Sequence, residues 1–330
     1  MKKYWKRLVA VVLTIALVMG SIGCAKEEKE KKTPFFDASA LSAGDNTSDW
    51  IAMALALSKN ANEKAMHSYA KRLERYVVNM YEREGGLSKV KATEYHRIAL
   101  TLLALGKDPR KIKAKGKKID LVADGTWKFN GGDPGLQGAN GLCYALILLE
   151  AGDYEAPENE TFRKKLVEEL LEYQKESGGF CIDNSLDPSV DMTAMAIQAL
   201  APYYEEEKCK AIELDPKEMK ECIDVAMEWL QEKESEDAGF VTKDGESSEA
   251  ISQVILAMCA LGKNPKVDKT FTKGKTTLLT SLDTYRREDG MYMHDKADGE
   301  ASDMATYQAM IALEAVEKLR TDKKCIFDFQ

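Results

Sequence analysis

Histidine is scarce in this sequence, and cysteine is never clustered. The 330 residues include 3 histidines, His67, His96 and His294, and none has a cysteine beside it at the spacing of metal ligands. The 7 cysteines contain no Cys-x-x-Cys pair. Structural zinc sites draw their four ligands from closely spaced groups of these residue types. The sequence therefore predicts no metal site and no resident cofactor.

A basic stripe is also missing. The chain has Lys+Arg 47 against Asp+Glu 55 and a net charge of −8, and its basic residues are scattered among acids without interleaved aromatics. Nucleic-acid-binding surfaces concentrate basic residues on one face, so we expect no nucleic-acid partner. With 44% hydrophobic and 31% charged residues, the composition is that of a globular body.

No apolar run reaches the length of a transmembrane helix. The stretch at residues 8–20 (LVAVVLTIALVMG) follows a basic start and is shorter than the roughly 20 residues that span a bilayer, which is typical of a secretory signal. The SIGC that follows resembles a bacterial lipobox. This resemblance implies cleavage before Cys24, acylation of Cys24 and anchoring outside the cytoplasm in the lipid bilayer of the cell membrane. An ordinary signal peptide with a chance cysteine is the alternative.

Three segments follow from this assignment. Residues 1–23 form the signal peptide. Residues 24–47 are charged and then rich in Ser, Ala, Gly and Asp, with few anchors for a core, so we predict a flexible tether that begins at the lipidated Cys24. Residues 48–330 form the folded domain.

Six cysteines remain in that domain. An even number outside the cytoplasm permits disulfides. Cys143 and Cys259 lie inside apolar helical runs, where cysteine usually behaves as a small buried hydrophobe. Cys209 and Cys222 are therefore the pair that the sequence favours.

A unit of one turn and one apolar helix recurs along the domain. The turns pair glycine with an aromatic or apolar residue, as in residues 177–180 (SGGF), 238–240 (AGF) and 289–292 (DGMY), and the later ones stand about 50 residues apart. Each turn precedes a helix rich in Ala and Leu, such as residues 191–200 (DMTAMAIQAL). Units of this kind cannot bury their apolar faces alone, so neighbouring units must pack together.

Helices of a second kind lie between these. Residues 158–176 (ENETFRKKLVEELLEYQKE) carry apolar side chains at helical spacing and charges elsewhere, which is typical of a surface helix. The Ala/Leu helices are apolar nearly all round and must be buried on most sides. The two kinds alternate about six times. We therefore predict an all-α fold, a closed (α/α)6 toroid of inner and outer helices, with an open solenoid as the alternative.

This pattern resembles the α/α toroids of terpenoid cyclases and protein prenyltransferases, which carry prenyltransferase and squalene-oxidase repeats. Their turns follow the form Gln-x-x-x-Gly-x-aromatic, and Gln174, Gly178 and Phe180 fit it, with Phe for the usual Trp. The resemblance covers roughly residues 48–320 and implies the toroid fold. It does not by itself imply an activity, because one fold can host unrelated functions.

The residues behind the two activities of these relatives are incomplete here. Squalene-hopene-type cyclases protonate an alkene through Asp-x-Asp-Asp-Thr, whereas residues 189–193 (SVDMT) keep only Asp191 and Thr193. The neighbouring carboxylates that make such an acid strong are missing. Protein prenyltransferases hold zinc through an Asp-x-Cys pair and a histidine, and the chain has no Asp-x-Cys.

A third resemblance concerns the same stretch. Residues 189–196 (SVDMTAMA) are similar to a helix start in the α-domain of cobalamin carriers such as transcobalamin and intrinsic factor. Those carriers are secreted, non-enzymatic ligand binders on the same ring fold. The similarity implies a bound ligand, with a corrinoid as one candidate. Because those carriers close over the ligand with a second domain, we expect a second protein to close the cavity here.

In toroids of these families the cavity opens at the N-terminal ends of the inner helices, where this sequence places polar and aromatic residues. Gln253 and Gln308 occupy matching places in their repeats and are poor helix caps. The ligand-binding candidates are Trp50, Glu94, Tyr144, Asp191, Thr193, Gln253, Tyr307 and Gln308.

Acids at the same places have two interpretations. Asp187, Asp191 and His96 are the candidate catalytic residues, because acids and imidazoles transfer protons. Helix capping is the competing interpretation, and we expect it for Asp49, Glu249 and Asp303. For Asp191 either Ser189 or Asp187 is available to cap instead.

These observations favour an extracytoplasmic lipoprotein that binds a small or extended ligand, such as a small molecule or glycan, or a partner protein at the ring mouth without turnover. The alternative is a carbohydrate-active or degenerate terpenoid-cyclase-like enzyme that uses acids at the starts of the inner helices. Two suitably separated carboxylates are the requirement for glycoside cleavage.

Overall fold

The computed structural model describes residue 34 and residues 36–58, 62–157, 161–243 and 245–330. The predicted signal peptide, the lipidation site Cys24 and the first part of the predicted tether lie outside the described residues. The helices are, in chain order, α1 (Asn46–Leu57), α2 (Glu63–Glu84), α3 (Ala92–Ala104), α4 (Leu121–Gly125), α5 (Ala139–Ala151), α6 (Phe162–Leu171), α7 (Val190–Leu200), α8 (Glu206–Ala211), α9 (Pro216–Lys233), α10 (Ser248–Ala260), α11 (Leu278–Asp283) and α12 (Asp303–Asp322).

The strands form three short antiparallel hairpins. They pair β1 (Ile112–Ala114) with β2 (Lys117–Ile119), β3 (Val241–Thr242) with β4 (Gly245–Glu246), and β5 (Thr272–Lys273) with β6 (Thr276–Thr277). In the described part of the chain, no helix combines the length and the hydrophobicity that crossing a bilayer requires.

Six helices close into an inner ring. Along the ring α1 contacts α3, α3 contacts α5, α5 contacts α7, α7 contacts α10, α10 contacts α12, and α12 returns to contact α1. These helices are apolar on nearly every side; in α5, for example, 10 of the 13 residues are buried. Only a position between neighbours on both flanks hides such a helix from water. The predicted all-α toroid is confirmed.

The outer wall consists of one-sided helices. In α2 the side chains of Met66, Tyr69, Leu73 and Val77 are buried, and their spacing places them on one face. The Asn62 side chain caps the start of α2 by accepting from the N–H of Ala65 at 3.1 Å. The helices α6 and α9 pack in the same way against α5 and α7.

Two outer positions are built differently. Between α3 and α5 the wall holds only the five-residue α4, preceded by the β1–β2 hairpin, which packs against α2. Between α10 and α12 it holds the six-residue α11, preceded by the β5–β6 hairpin. Five helices, α2, α4, α6, α9 and α11, therefore make the outer wall in the described residues, and the six-residue α8 packs beside α9. A hairpin precedes each of the two short outer helices α4 and α11.

A repeated turn leads into the inner helices. The Thr193 hydroxyl accepts from the N–H of Phe180 at 2.9 Å and donates to the carbonyl oxygen of Ser189 at 2.8 Å. Thr306 repeats the arrangement, accepting from the N–H of Tyr292 at 2.9 Å. These contacts fix the Gly-aromatic turn to the first turn of the helix that follows it.

The described end of the predicted tether lies against the domain. Arg72 on α2 donates to the carbonyl oxygens of Leu41 at 2.6 Å and Ala38 at 3.0 Å, and Phe36 packs against the core. The first inner helix begins at Asn46. Residues 36–45 are thus held by the body through backbone contacts that the polar composition of this segment gives no reason to expect.

The opposite end of the ring, at the C-terminal ends of the inner helices, is covered by the last residues of the chain. Phe327 is 8% exposed, the N–H of Phe329 donates to the carbonyl oxygen of Ala151 at 3.0 Å, and Lys318 donates to the carbonyl oxygen of Asp328 at 2.6 Å. All six cysteines of the domain are free thiols, so the expected pairing of Cys209 with Cys222 is not present.

Candidate ligand-binding site

Five of the predicted ligand-binding side chains line one cavity on the ring axis. These are Trp50, Tyr144, Gln253, Tyr307 and Gln308, from α1, α5, α10 and α12. Each lies in the first two turns of its helix, so equal depth in the repeat becomes equal height in the ring. The volume is about 70 Å³, room for a few water molecules and no more.

An amide chain runs along one side of this cavity. Gln198 donates to the Oε1 of Gln253 at 2.9 Å, and Gln253 donates to the Oε1 of Gln308 at 2.9 Å. Gln198 was not among the predicted site residues. It stands 55 positions before Gln253, the same interval that separates Gln253 from Gln308, so the spacing that singled out the other two also identifies it.

Aromatic rings fill the other side. Trp50 stacks on Tyr307 with ring centroids 6.1 Å apart and an interplanar angle of 11°, and it meets Tyr144 at 5.6 Å and 49°. Burial raises the pKa of Tyr307 to about 12 and also raises the pKa of Tyr144. Both phenols therefore stay neutral, and the cavity is small because these rings occupy the axis.

Two carboxylates lie at the start of neighbouring inner helices. Asp191 on α7 is half-buried, whereas Glu249 on α10 is 5% exposed. Burial raises the pKa of Asp191, and the negative charge of Glu249 raises it further. A charge shifts the pKa of a second group only over a short range, so Glu249 lies within electrostatic range of Asp191. They give the mouth of the ring a concentrated negative charge.

His294 completes this group. Its Nδ1 lies 2.8 Å from the Oε2 of Glu249, and its backbone is held because its carbonyl oxygen accepts from the N–H of Ser248 at 3.0 Å. Partial burial is the largest single influence and acts to lower the pKa of His294, but the hydrogen bond to Glu249 and the negative charges of Glu249, Asp295 and Asp298 together outweigh it, so the net shift is upward. The sequence offered one signal for His294, its place in the polar segment just before α12.

The first turns of three inner helices are capped by side chains other than the acids that we expected to cap them. Asp45, Ser247 and Ser302 accept from the backbone at the starts of α1, α10 and α12. The capping interpretation of Asp49, Glu249 and Asp303 is therefore wrong, because a residue one to four positions earlier already fills that role. At α7 the cap is Ser189, which accepts from the N–H of Met192 at 3.2 Å and leaves Asp191 available, as the sequence suggested.

The other predicted ligand residues lie apart from the axial cavity. Glu94 accepts from the Tyr76 hydroxyl at 3.4 Å. Thr193 is fully buried and its hydroxyl is engaged by backbone groups on both sides. Its hydroxyl therefore holds a turn, its one proton is already donated, and its burial keeps it from a ligand.

Two of the three catalytic candidates are poorly placed for chemistry at the mouth. Asp187 is exposed on the loop before α7. His96 is fully buried, with its Nε2 2.6 Å from the carbonyl oxygen of Gly125, and burial lowers the pKa of His96 to about 4. A neutral ring sealed between α3 and α4 cannot reach a substrate at the mouth. Asp191 is the candidate that the structure brings beside a second acid.

Exposed apolar side chains surround the mouth. Most of the large exposed hydrophobics in the described residues precede or begin an inner helix and so lie at this end of the ring; they are Val90, Leu136, Ile182, Leu186, Val241 and Met304. No group of three metal-ligating side chains occurs in the described segments. The mouth is thus acidic at its centre and apolar at its rim.

A larger cavity of about 370 Å³ lies at the other end of the ring. It is bordered by the C-terminal ends of α5, α7, α10 and α12 and by the last residues of the chain. Gln198 and Phe327 line both this basal cavity and the axial one. Phe327 therefore stands between the two spaces.

The prenyltransferase alpha-alpha toroid domain family matches residues 141–218 and 207–329, more than half of the chain. The chain belongs to this family. No curated protein matches the sequence. The family assignment agrees with the ring of inner helices and assigns no reaction to this toroid.

Solved structures share the toroid fold. Two are mutants of the unsaturated glucuronyl hydrolase of Streptococcus agalactiae. The one complexed with dGlcA-GalNAc6S has a TM-score of 0.55 and 16% identity, and the match covers 82% of this chain and 81% of that one. The other has a TM-score of 0.56 and 16% identity, with coverage of 82% of this chain and 80% of that one. The protein geranylgeranyltransferase-I of Candida albicans, complexed with GGPP, has a TM-score of 0.56, 13% identity and coverage of 88% and 89%. At these identities the likeness is one of fold alone.

Proposed function

We propose that this toroid is an extracytoplasmic, lipid-anchored binding protein that captures a polar ligand at the mouth of its inner ring without converting it. The observation that carries the proposal is the convergence of Trp50, Tyr144, Gln253, Tyr307 and Gln308 from four inner helices on one axial cavity. Side chains on rigid helices that meet at one point form a preorganised site, which lowers the entropic cost of binding.

The dimensions favour capture across the mouth rather than enclosure. A cavity of about 70 Å³ accepts one polar group of a ligand, while the remainder lies over the acidic centre and the apolar rim. A corrinoid or an oligosaccharide would rest on this surface, and a second protein would have to cover it. The rim of exposed apolar side chains suits contact with an extended ligand or with such a partner.

Anchoring rests on the sequence of the N-terminus. The lipobox-like SIGC implies acylation of Cys24 and attachment to the outer face of the bacterial cell membrane. Metabolic labelling with a fatty-acid probe tests it. We expect labelled protein in the membrane fraction, and loss of the label and accumulation of the precursor in a Cys24→Ser variant. Label that persists in this variant overturns the anchoring proposal.

The binding proposal is tested by thermal denaturation of the mature chain with corrinoids, neutral oligosaccharides, amines and isoprenoids. A ligand that binds the folded state raises the melting temperature by mass action. We expect one class to do so and to come back unaltered from the mixture. Asp191→Asn should weaken the effect, whereas Asp303→Asn, which removes an exposed acid from the same end of the ring, should leave it unchanged. A panel in which no compound shifts the transition counts against the proposal.

A carbohydrate-active enzyme is the second candidate, and one observation favours it. Asp191 and Glu249 lie at the starts of adjacent inner helices, and burial together with the charge of Glu249 raises the pKa of Asp191. Glycosidases pair a carboxylic acid of raised pKa with an ionised carboxylate. Release of reducing ends from a glycan, lost in Asp191→Asn with the affinity intact, would establish turnover and replace the binding proposal.

A further inference from the structure

The Glu249 side chain is only half satisfied. Its Oε2 lies 2.8 Å from the Nδ1 of His294 and accepts from the hydroxyls of Ser247 at 3.2 Å and Ser248 at 3.4 Å. The whole side chain is only 6% exposed. Its Oε1 is buried and has no hydrogen-bond partner. Leaving a buried carboxylate oxygen without a donor is costly, so this atom is suited to accept from a bound molecule.

The cations near Glu249 do not offset the charge of the mouth. Lys296 follows His294 closely in sequence, but its ammonium group lies 3.3 Å from Asp237 and 3.1 Å from Glu246. His294 is the cation that contacts Glu249, and it carries charge only when protonated. Asp191, on the neighbouring helix, adds a second carboxylate within electrostatic range.

Glu249 also acts on the ring axis. Its charge contributes to the raised pKa of Tyr307, after the larger effect of burial, which places the carboxylate near the phenol that stacks on Trp50. Glu249 therefore lies within electrostatic range of the aromatic rings on the axis. Proteins bind organic cations through carboxylates, which form charge-assisted hydrogen bonds, and through the faces of aromatic rings.

We propose that the mouth of the toroid binds a positively charged nitrogen, a protonated amine or guanidinium, which donates to the Oε1 of Glu249 and lies between Glu249 and Asp191. This inference rests on the proposed function and names its ligand class. A neutral hydroxyl would satisfy the orphaned oxygen but would leave two like charges facing each other. A cation satisfies the oxygen and also relieves their repulsion.

The pH dependence of binding follows from His294. The charged groups around its ring are Glu249, Asp295 and Asp298, with Asp191 facing it from α7. Protonated His294 neutralises part of the mouth and competes with the ligand. As the pH rises through the pKa of His294, that charge is lost and the mouth becomes more negative. Affinity for an amine should therefore increase with pH as long as the amine stays protonated.

Calorimetric titration of the full mature chain tests the inference. The probes are putrescine and agmatine, with N,N'-diacetylputrescine as a neutral analogue of the same length and maltotriose as a neutral glycan. We expect the two cations to bind, more tightly at pH 8 than at pH 6, and the diacetylated analogue not to bind. Glu249→Gln should weaken cation binding by about tenfold or more, because a charge-assisted hydrogen bond is lost.

Two further variants separate recognition from folding. Asp303→Asn, an exposed acid at the same end of the ring, should change the affinity less than twofold. His294→Gln keeps a donor beside Glu249 but removes the titrating charge, so it should bind the cations more tightly at pH 6 and lose the pH dependence. A folded His294→Gln protein that keeps the pH dependence overturns the role of His294 in the inference.

The outcomes distinguish the inference from the proposed function. Binding of maltotriose without binding of either cation overturns the inference and leaves the binding function in place. Cation binding that Glu249→Gln does not weaken also overturns it. If none of the probes binds and the wider ligand panel is equally silent, the binding function itself fails.

Discussion

Gln253 and Gln308, 55 residues apart in the chain, are joined side chain to side chain by a 2.9 Å hydrogen bond across adjacent inner helices. Gln198 extends the bond to a third helix. Gln253 accepts from Gln198 and donates to Gln308, so the row of amides links three inner helices. The polar wall of the axial cavity therefore also helps to fix the positions of three inner helices relative to one another.

The first prediction concerns this amide chain. Gln253→Leu removes both side-chain hydrogen bonds. The acceptor of Gln308 loses this donor, and the buried Gln198 amide keeps only the backbone carbonyl oxygens of Ala194 at 3.2 Å and residue 253 at 3.4 Å. We expect a loss of about 1–2 kcal/mol in the free energy of unfolding, measured by urea denaturation. Gln137→Leu, at an exposed position, is the matched control and should change the free energy by less than about 0.5 kcal/mol. Equal losses in the two variants would show that the hydrogen-bonded glutamines make no specific contribution to stability.

The second prediction concerns a buried ion pair that joins α1 to α3. Asp49 is fully buried, lies 3.1 Å from the Nε of Arg97 and accepts from the Tyr69 hydroxyl at 2.7 Å. Arg97→Met leaves the carboxylate buried without its cation, so we expect a loss of about 3–5 kcal/mol in the free energy of unfolding. Adding Asp49→Asn to that variant should recover part of the loss. A strictly additive double variant would mean that the two groups do not interact.

The closed ring could be predicted from the sequence because the property that requires it can be read from each inner helix separately. A helix such as α5 is apolar all round, and that property alone requires neighbours on both flanks. The same logic located Gln253 and Gln308, since matching places in a repeat become matching heights in a ring. Gln198 follows the same interval of 55 residues and was within reach of this argument.

Other parts of the site have no periodic signal. His294 lies in an irregular turn, and its partner Glu249 is 45 residues away, so neither residue points to the other in the sequence. The volume of the axial cavity depends on how Trp50 and Tyr307 stack, which is a packing outcome. Phe327 closes the base through a tail whose local composition does not specify where it docks. Contacts of this kind arise only when the ring assembles.

The third prediction concerns Thr193, which was considered as a ligand residue and which the structure uses to hold a turn. Thr193→Val keeps the shape but removes the oxygen that accepts from the N–H of Phe180. The buried N–H then has no partner, so we expect a loss of about 1–3 kcal/mol in the free energy of unfolding. Thr306→Val, at the equivalent turn, should lose a similar amount. Ligand affinity should not change in either variant, and a folded Thr193→Val protein with weakened binding would return Thr193 to the site.

The fourth prediction concerns the acid limb of the stability curve. Burial lowers the pKa of His96 to about 4 from its usual 6.5, so the unfolded chain takes up this proton at a higher pH than the folded one. The contribution of neutral His96 to the free energy of unfolding is therefore fully present above pH 6.5. It is lost as the pH drops toward 4, by about 3 kcal/mol in all. His96→Gln offers a donor to the carbonyl oxygen of Gly125 but does not titrate, so its free energy of unfolding should fall less steeply between these pH values. His67→Gln, on the exposed face of α2, should keep the slope of the parent chain. Urea denaturation at a series of pH values measures all three slopes, and an unchanged slope in His96→Gln would place the acid sensitivity elsewhere in the fold.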